Sequence, residues 1–331
     1  MTGSPHSASH RRVFAIFHSL PQLLGLQSLS APIGCAAIKT KLGKRALTAH
    51  TLTSNGSPIP FTPQYFGPLR ESRMDMPATE LRARYTADGY VLLKGALSAS
   101  TVFDMREAYF RLFEPDFFKD GDARRGLFSG RAPENLPAHG FAGHPAHSFV
   151  RSDTFRAFLD LPILKTIAET IFADGADRLR RTPLRHFIPG CGRASRAHLD
   201  RTYVDGIAAD IVTLWVPFGN CPLKGGPLLY LDGSHQDDVL EKARESAPTD
   251  RANDTRPITH DLKWLADYSG RRWLVTEYEA GDVVVHSPAI VHASLDSEID
   301  LMRVSTDVRF KRADAPSDPR WHDDWSADDG Y

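Results

Sequence analysis

The sequence predicts a mainly β protein, a jelly-roll core with α-helices ahead of it. Three observations carry that expectation. After Arg181, short apolar runs follow one another at the spacing of barrel strands, separated by Gly, Pro and Asp. Between Ala78 and Phe172, apolar residues recur at helical rather than strand period. Across the 331 residues, 41% are apolar and 24% charged, which is enough apolar surface to fill a core.

Composition also excludes several function classes. A formal net charge of −1 argues against a nucleic-acid surface or a polybasic membrane anchor. No run of 18 apolar residues is present, so no transmembrane helix is expected. Cys35, Cys191 and Cys221 are scattered and form no C-x-x-C, so neither a disulfide scaffold nor a thiolate zinc site is expected. The composition leaves a globular protein, most simply an intracellular enzyme.

The elements follow in order. No acidic residue precedes Glu71, which gives +7 up to Arg70 and −8 beyond it. Residues 1–47 read as a disordered or targeting leader, and residues 48–331 as one catalytic domain. The expected compartment is the cytoplasm, or the mitochondrion if that acid-free leader is a presequence. Ser54-Asn55-Gly56 signals a hairpin turn. A helix begins near Ala78 and stops at Gly89, and Tyr90–Leu93 reads as a strand. Ser98–Phe113 is an amphipathic helix with Val102, Met105, Tyr109 and Phe113 on one face. Phe117–His147 is rich in Gly, Pro and His and long enough to be a functional loop. Ser152–Phe172 reads as a third helix. Eight strands are then expected at 184–188, 197–203, 211–218, 227–231, 273–278, 282–286, 290–292 and 302–310, interrupted by a polar insertion over 236–272.

The chemistry starts from 14 histidines. Three of them open a His-x-Asp, at His198, His235 and His322, a tripeptide common enough that context must choose. His198 and Asp200 fall in an apparent strand, where residues i and i+2 share a face and would converge inside a barrel. His235 follows a turn and His322 sits in an acidic tail, so both read as solvated or locally bonded. His292 is the candidate third ligand. Two imidazoles and a carboxylate would hold Fe(II) and leave one face open. By itself, however, His292 also reads as a satisfied core histidine. His286 lies an even six residues earlier, but Pro288 breaks the register, so a supporting or core place is expected.

Arg303 strengthens the set. Leu295–Asp300 is polar enough to be a turn, which would put His292 and Arg303 on neighbouring antiparallel strands, both facing inward. An inward arginine in the core strand Met302–Ser305 needs a carboxylate. That partner is either a structural Asp or Glu, or one end of a dicarboxylic co-substrate suited to the planar guanidinium fork.

At this point the sequence resembles the phytanoyl-CoA dioxygenase-like (PhyH) family of Fe(II)/2-oxoglutarate oxygenases. The matching stretches are Ala197-His198-Leu199-Asp200, Trp215 to Pro222 with Gly225 to His235, and Gly281 to Ser294 running on to Arg303. The resemblance covers roughly Tyr90 to Phe310 and rests on the order and spacing of these motifs. It implies a cupin-like double-stranded β-helix with N-terminal helices packed outside. It also implies His198, Asp200 and His292 as iron ligands, Arg303 on the distal carboxylate of 2-oxoglutarate, Ser294 adding a hydroxyl there, and Trp215 as an aromatic nearby. Dioxygen is the further co-substrate. A carboxylate at position 200, rather than a small residue that would admit chloride, implies hydroxylation or another oxidation instead of halogenation.

Arg193, Arg196, Arg201 and Tyr203 bracket the His-x-Asp and are candidate substrate contacts, as is Trp264 in the insertion. Trp321 and Trp325 are expected to cover the barrel rather than to touch substrate. Two other classes remain at this stage: a Zn(II) or Mn(II) hydrolase or isomerase, and a non-catalytic binding protein on the same fold. Either would be favoured by an Arg303 paired with a protein carboxylate.

Overall fold

In a computed structural model, the described residues are 51–190, 194–204, 210–236, 239–248 and 256–327. The expected leader, Cys35, Cys191 and Arg193 lie outside them.

The described chain opens with a hairpin of β1 (Thr51–Ser54) and β2 (Ser57–Pro60). Asn55 and Gly56 at its turn have φ of 50° and 76°, the positive values a tight primed turn requires. Strands β3 (Phe66–Pro68) and β4 (Glu71–Ser72) lead to helix α1 (Ala78–Asp88), then β5 (Tyr90–Leu93) and α2 (Ala99–Phe110). Gly89 ends α1 in the left-handed region, and the Ser98 hydroxyl caps α2 by accepting from the Thr101 amide at 3.1 Å. After a long loop come α3 (Pro145–Phe149), α4 (Asp153–Leu159) and α5 (Pro162–Phe172). The helix expected over 152–172 is therefore two helices. Pro162 disfavours helical geometry at Leu161 and starts the next helix at its own first position.

The β-rich part comprises β6 (Ala176–Arg178), β7 (Leu184–Phe187), β8 (Ile211–Pro217) and β9 (Leu228–Leu231). The insertion forms α6 (Val239–Ser246) and α7 (Leu262–Ser269), and the chain then continues through β10 (Trp273–Val275), β11 (Val283–His286), β12 (His292–Ser294) and β13 (Arg303–Arg312). The larger sheet has the order β4-β5-β11-β8-β13, with β6 and β7 both paired to β13. The smaller sheet has the order β12-β9-β10-β3.

Strand alternation sorts the larger sheet into two faces. Val212, Leu214, Val216, Val283, Val285, Val304 and Val308 face the helices and join one core with Val102, Tyr109, Phe155 and Ile167. The opposite face looks into the barrel, where Trp215 and Val284 meet Tyr230 and Leu228 of the smaller sheet. Along β13 that inner face carries Arg303, Ser305, Asp307 and Arg309, all buried.

Two sequence expectations change. His292 and Arg303 are not on adjacent strands: β12 belongs to the smaller sheet and β13 to the larger. The strand expected over 197–203 is only an antiparallel bridge at Ala197 and His198, and the chain turns into a 3-10 helix at Asp200–Thr202. No helix among the described residues is long and apolar enough to cross a membrane.

Candidate metal centre

Backbone pairing builds the centre. The His198 and His292 amides each donate to the other's carbonyl at 3.0 Å, which locks the two residues side by side. Leu199 is extended and points its side chain into the apolar core, so His198 and Asp200 keep a common side although no strand continues through them. One ligand atom from each of His198, Asp200 and His292 lies within 4.8 Å of the other two. His198 Nε2 is 3.8 Å and His292 Nε2 3.6 Å from Asp200 Oδ1.

Each imidazole is fixed from behind. His198 Nδ1 lies 2.7 Å from the Arg196 carbonyl, and His292 Nδ1 lies 3.1 Å from the Ile290 carbonyl. A carbonyl only accepts, so Nδ1 carries the proton and Nε2 presents a lone pair to the centre. Burial lowers the pKa of both rings against the opposing pull of Asp200, which keeps them neutral and able to ligate.

The second carboxylate oxygen is held from the larger sheet. His286, Thr213 and Arg309 stand directly opposite one another on β11, β8 and β13. Thr213 Oγ1 donates to Asp200 Oδ2 at 2.7 Å, Arg309 Nη2 donates at 3.2 Å, and His286 Nε2 lies 3.6 Å away. Burial opposes ionisation of Asp200, but Arg309, His286 and His292 outweigh it and hold the carboxyl well below its usual range. His286 is thus a supporting residue, with Nδ1 3.0 Å from the Tyr230 hydroxyl. Two neutral imidazoles and one anchored carboxylate suit a divalent ion such as Fe(II).

Arg303 lies on the β13 face that looks into the barrel and is buried. Its Nη1 donates to the Gly226 carbonyl at 2.8 Å, while Nε and Nη2 have no hydrogen-bond partner among the described residues. The guanidinium stacks on the Phe187 ring at 3.7 Å and lies 5.9 Å from the Trp215 ring. Burial lowers its pKa to about 10, so it is still a cation at neutral pH. No Arg303–carboxylate ion pair occurs among the described residues. Ser294 is fully buried, and its hydroxyl accepts from the Ser195 amide at 2.7 Å.

A model of the phytanoyl-CoA dioxygenase family, PhyH, matches residues 85–299. The chain belongs to that family. A comparison with curated proteins returned no match. Among solved structures, the epimerase SnoN in complex with Fe3+, alpha ketoglutarate and nogalamycin RO aligns with a TM-score of 0.51 at 21% identity, covering 73% of this chain and 86% of that one. The carbocyclase SnoK aligns at 0.51 and 20%, covering 76% and 90%. EvdO2 from Micromonospora carbonacea var. aurantiaca, complexed with 2-oxoglutarate, aligns at 0.50 and 19%, covering 77% and 100%. At these identities the likeness is one of fold.

A cavity of about 840 Å³ opens onto His198 and Asp200 of this PhyH protein. Arg196 and Tyr203 line it, and the Tyr203 ring lies 5.6 Å from that of His198. Arg201 and Trp264 are not on its wall. The Arg201 amide donates to the Pro288 carbonyl, and Trp264 stacks on Tyr268 on α7. Trp321 is buried and is one of the residues lining the cavity. His139 and His144 line it from the long loop, whose lack of periodicity was the signal that it was no mere connector. Thr213 and Arg309 were missed by sequence reasoning. Arg309 carried the same signal as Arg303, an arginine on the inward face of an apolar strand.

Proposed function

We propose that the chain is a non-haem Fe(II)/2-oxoglutarate-dependent dioxygenase that hydroxylates a small-molecule metabolite. The observation that carries this reading is the buried Arg303, whose Nε and Nη2 edge has no hydrogen-bond partner among the described residues. An unpaired buried guanidinium is very unfavourable, and a carboxylate bridging that edge would satisfy it. Stacking on Phe187 occupies the guanidinium face and leaves this edge for such a ligand. A structural ion pair at Arg303 would have favoured the hydrolase or binding-protein readings. Family membership supports the same class.

His198 and His292 would hold iron through Nε2 and Asp200 through Oδ1. Iron with 2-oxoglutarate and dioxygen supplies the oxidising power to cleave a C–H bond, 2-oxoglutarate ending as succinate and carbon dioxide. Thr213, Arg309 and His286 keep Asp200 ionised and turned so that Oδ1 faces the metal side. Arg303 would fix the far carboxylate of 2-oxoglutarate. The cavity walls shield a bound substrate from bulk water beside His198.

The test is metabolite-dependent succinate release from 2-oxoglutarate with Fe(II) under air, with the product's mass measured. Hydroxylation adds one oxygen. A product of unchanged mass, or one lighter by two hydrogens, would keep the class and overturn the hydroxylase reading. No succinate release with any metabolite pool, from protein that binds Fe(II) and 2-oxoglutarate, would overturn catalysis.

A further inference from the structure

The long loop before α3 supplies part of the cavity wall, and its two wall histidines are held in defined protonation states. His139 Nε2 lies 2.7 Å from the Leu184 carbonyl. A carbonyl only accepts, so Nε2 carries the proton and Nδ1 is a bare acceptor. His144 is tied through its other nitrogen. Its Nδ1 accepts from the Ala146 amide at 3.2 Å, so its proton sits on Nε2, which is a donor. Burial, followed by neighbouring histidine charge, holds the pKa of His139 down to about 3 and that of His144 down to about 4, so both rings are uncharged at neutral pH.

The two remaining ring nitrogens are therefore one acceptor and one donor. Neither His139 Nδ1 nor His144 Nε2 has a hydrogen-bond partner among the described residues, and neither is sealed from solvent. Their ring centroids are 5.1 Å apart with the planes at 71°, close enough for one small polar group to serve both. Such a group must donate to His139 and accept from His144. A carboxylate has no proton to donate and an ammonium has no lone pair to accept with, whereas a hydroxyl does both.

The second observation is apolar. Phe141, between the two histidines in sequence, lines the same cavity and is 54% exposed. Leu136 and Pro137 also belong to this wall. A large apolar side chain left open on a cavity wall is a place for apolar ligand surface.

We infer that residues 136–144 select the substrate, and that the substrate carries an uncharged hydroxyl, bridged by His139 Nδ1 and His144 Nε2, on an apolar skeleton that packs against Phe141. The inference rests on the oxygenase reading only in naming this ligand the substrate; the hydroxyl site stands on the loop's own residues.

The test uses the full chain with Zn(II) and saturating 2-oxoglutarate, so that a probe cannot occupy the co-substrate place. The histidine rings are labelled with nitrogen-15, and His139→Gln and His144→Gln assign their signals. Before any probe is added, both rings should be neutral with the proton on Nε2; a charged ring, or a proton on Nδ1 of either, would overturn the inference. The probes are benzyl alcohol, benzyl methyl ether (which accepts but cannot donate), benzamide, benzoate and benzylammonium. Benzyl alcohol should shift the His139 Nδ1 and His144 Nε2 signals saturably. It should bind about threefold to tenfold more tightly than the ether, the size of one lost hydrogen bond. The two ions should leave both signals unmoved. Phe141→Ser, a change at an exposed side chain, should weaken benzyl alcohol binding by about twofold to tenfold. Probe affinities are read on the wild type, so they stand even where a histidine variant unfolds. Benzyl alcohol binding no better than the ether, benzamide binding more tightly than the alcohol, a shift with either ion, or unchanged affinity in Phe141→Ser would overturn the inference. Separate titration with 2-oxoglutarate alone distinguishes this failure from failure of the oxygenase reading.

Discussion

Asp200 and Arg309 meet across the barrel, with Arg309 Nη2 3.2 Å from the carboxylate oxygen that faces away from His198 and His292. The carboxylate is thereby divided, one oxygen for the two imidazoles and one for the row His286–Thr213–Arg309. Removing one member of a buried charge pair leaves the other uncompensated, a destabilisation of about 3–5 kcal/mol. Arg309→Met should therefore lower both the unfolding free energy and the affinity for divalent metal. Thr213→Val removes a neutral donor and should weaken metal binding by about tenfold, the low end of the range for residues that orient a ligand. Calorimetric metal titration and urea denaturation check both variants. Unchanged metal affinity in Thr213→Val would show that the row supports the fold alone.

Arg303→Lys retains the charge but loses the planar edge. It should weaken 2-oxoglutarate binding by roughly 1.5–3 kcal/mol, about 10- to 150-fold, while iron affinity changes little. His292→Ala should abolish iron binding. Equilibrium dialysis of both ligands against both variants makes the comparison. An Arg303→Lys protein that unfolds outright would mark the arginine as structural.

Acid should destabilise the protein through its buried histidines. Burial and then neighbouring histidine charge hold His139 down to about 3 and His144 down to about 4, while burial holds His186 well below its ordinary value. Above about pH 6.5 these rings are neutral whether folded or unfolded, and their contribution is fully present. As pH falls below 6.5, the unfolded chain takes up protons that the folded chain refuses, and stability is lost down to about pH 3–4. By pH 5 each such ring should remove up to about 2 kcal/mol. Urea midpoints at pH 7.5, 6 and 5 should fall in that order, and less steeply in His144→Gln. A flat series would contradict the burial of these rings as neutral groups.

Gly281 has φ of 100°, and a Cβ there would sit 2.2 Å from the Leu97 carbonyl oxygen. That oxygen is backbone, and it cannot swing aside as a side chain would. Gly281→Ala should destabilise the domain by more than about 2 kcal/mol, beyond the usual cost of alanine at positive φ. Thermal unfolding would show this as a clear drop in Tm; a shift within error would mean the β10–β11 turn relaxes freely.

Much of this site was legible in the sequence, for identifiable reasons. His198 and Asp200 are separated by one extended residue, and the common side they share survives the loss of the strand that was expected around them. Arg303 stood out because an arginine in an alternating apolar strand demands a partner. Its position relative to His292 was misread, because the turn after Ser294 carries the chain from one sheet to the other and no local pattern encodes that crossing. Thr213 was invisible, being a β-branched residue in a strand where any such residue fits.

One iron centre and one arginine together would hold 2-oxoglutarate. Anaerobic titration of Fe(II)-loaded protein with 2-oxoglutarate tests it most directly, by following the weak visible charge-transfer band of the chelate. The band is expected in the wild type, should be absent in His292→Ala, and should appear in Arg303→Lys only at co-substrate concentrations higher by about tenfold or more. A wild-type protein that binds Fe(II) without developing the band, or an Arg303→Lys titration that overlays the wild type, would contradict it.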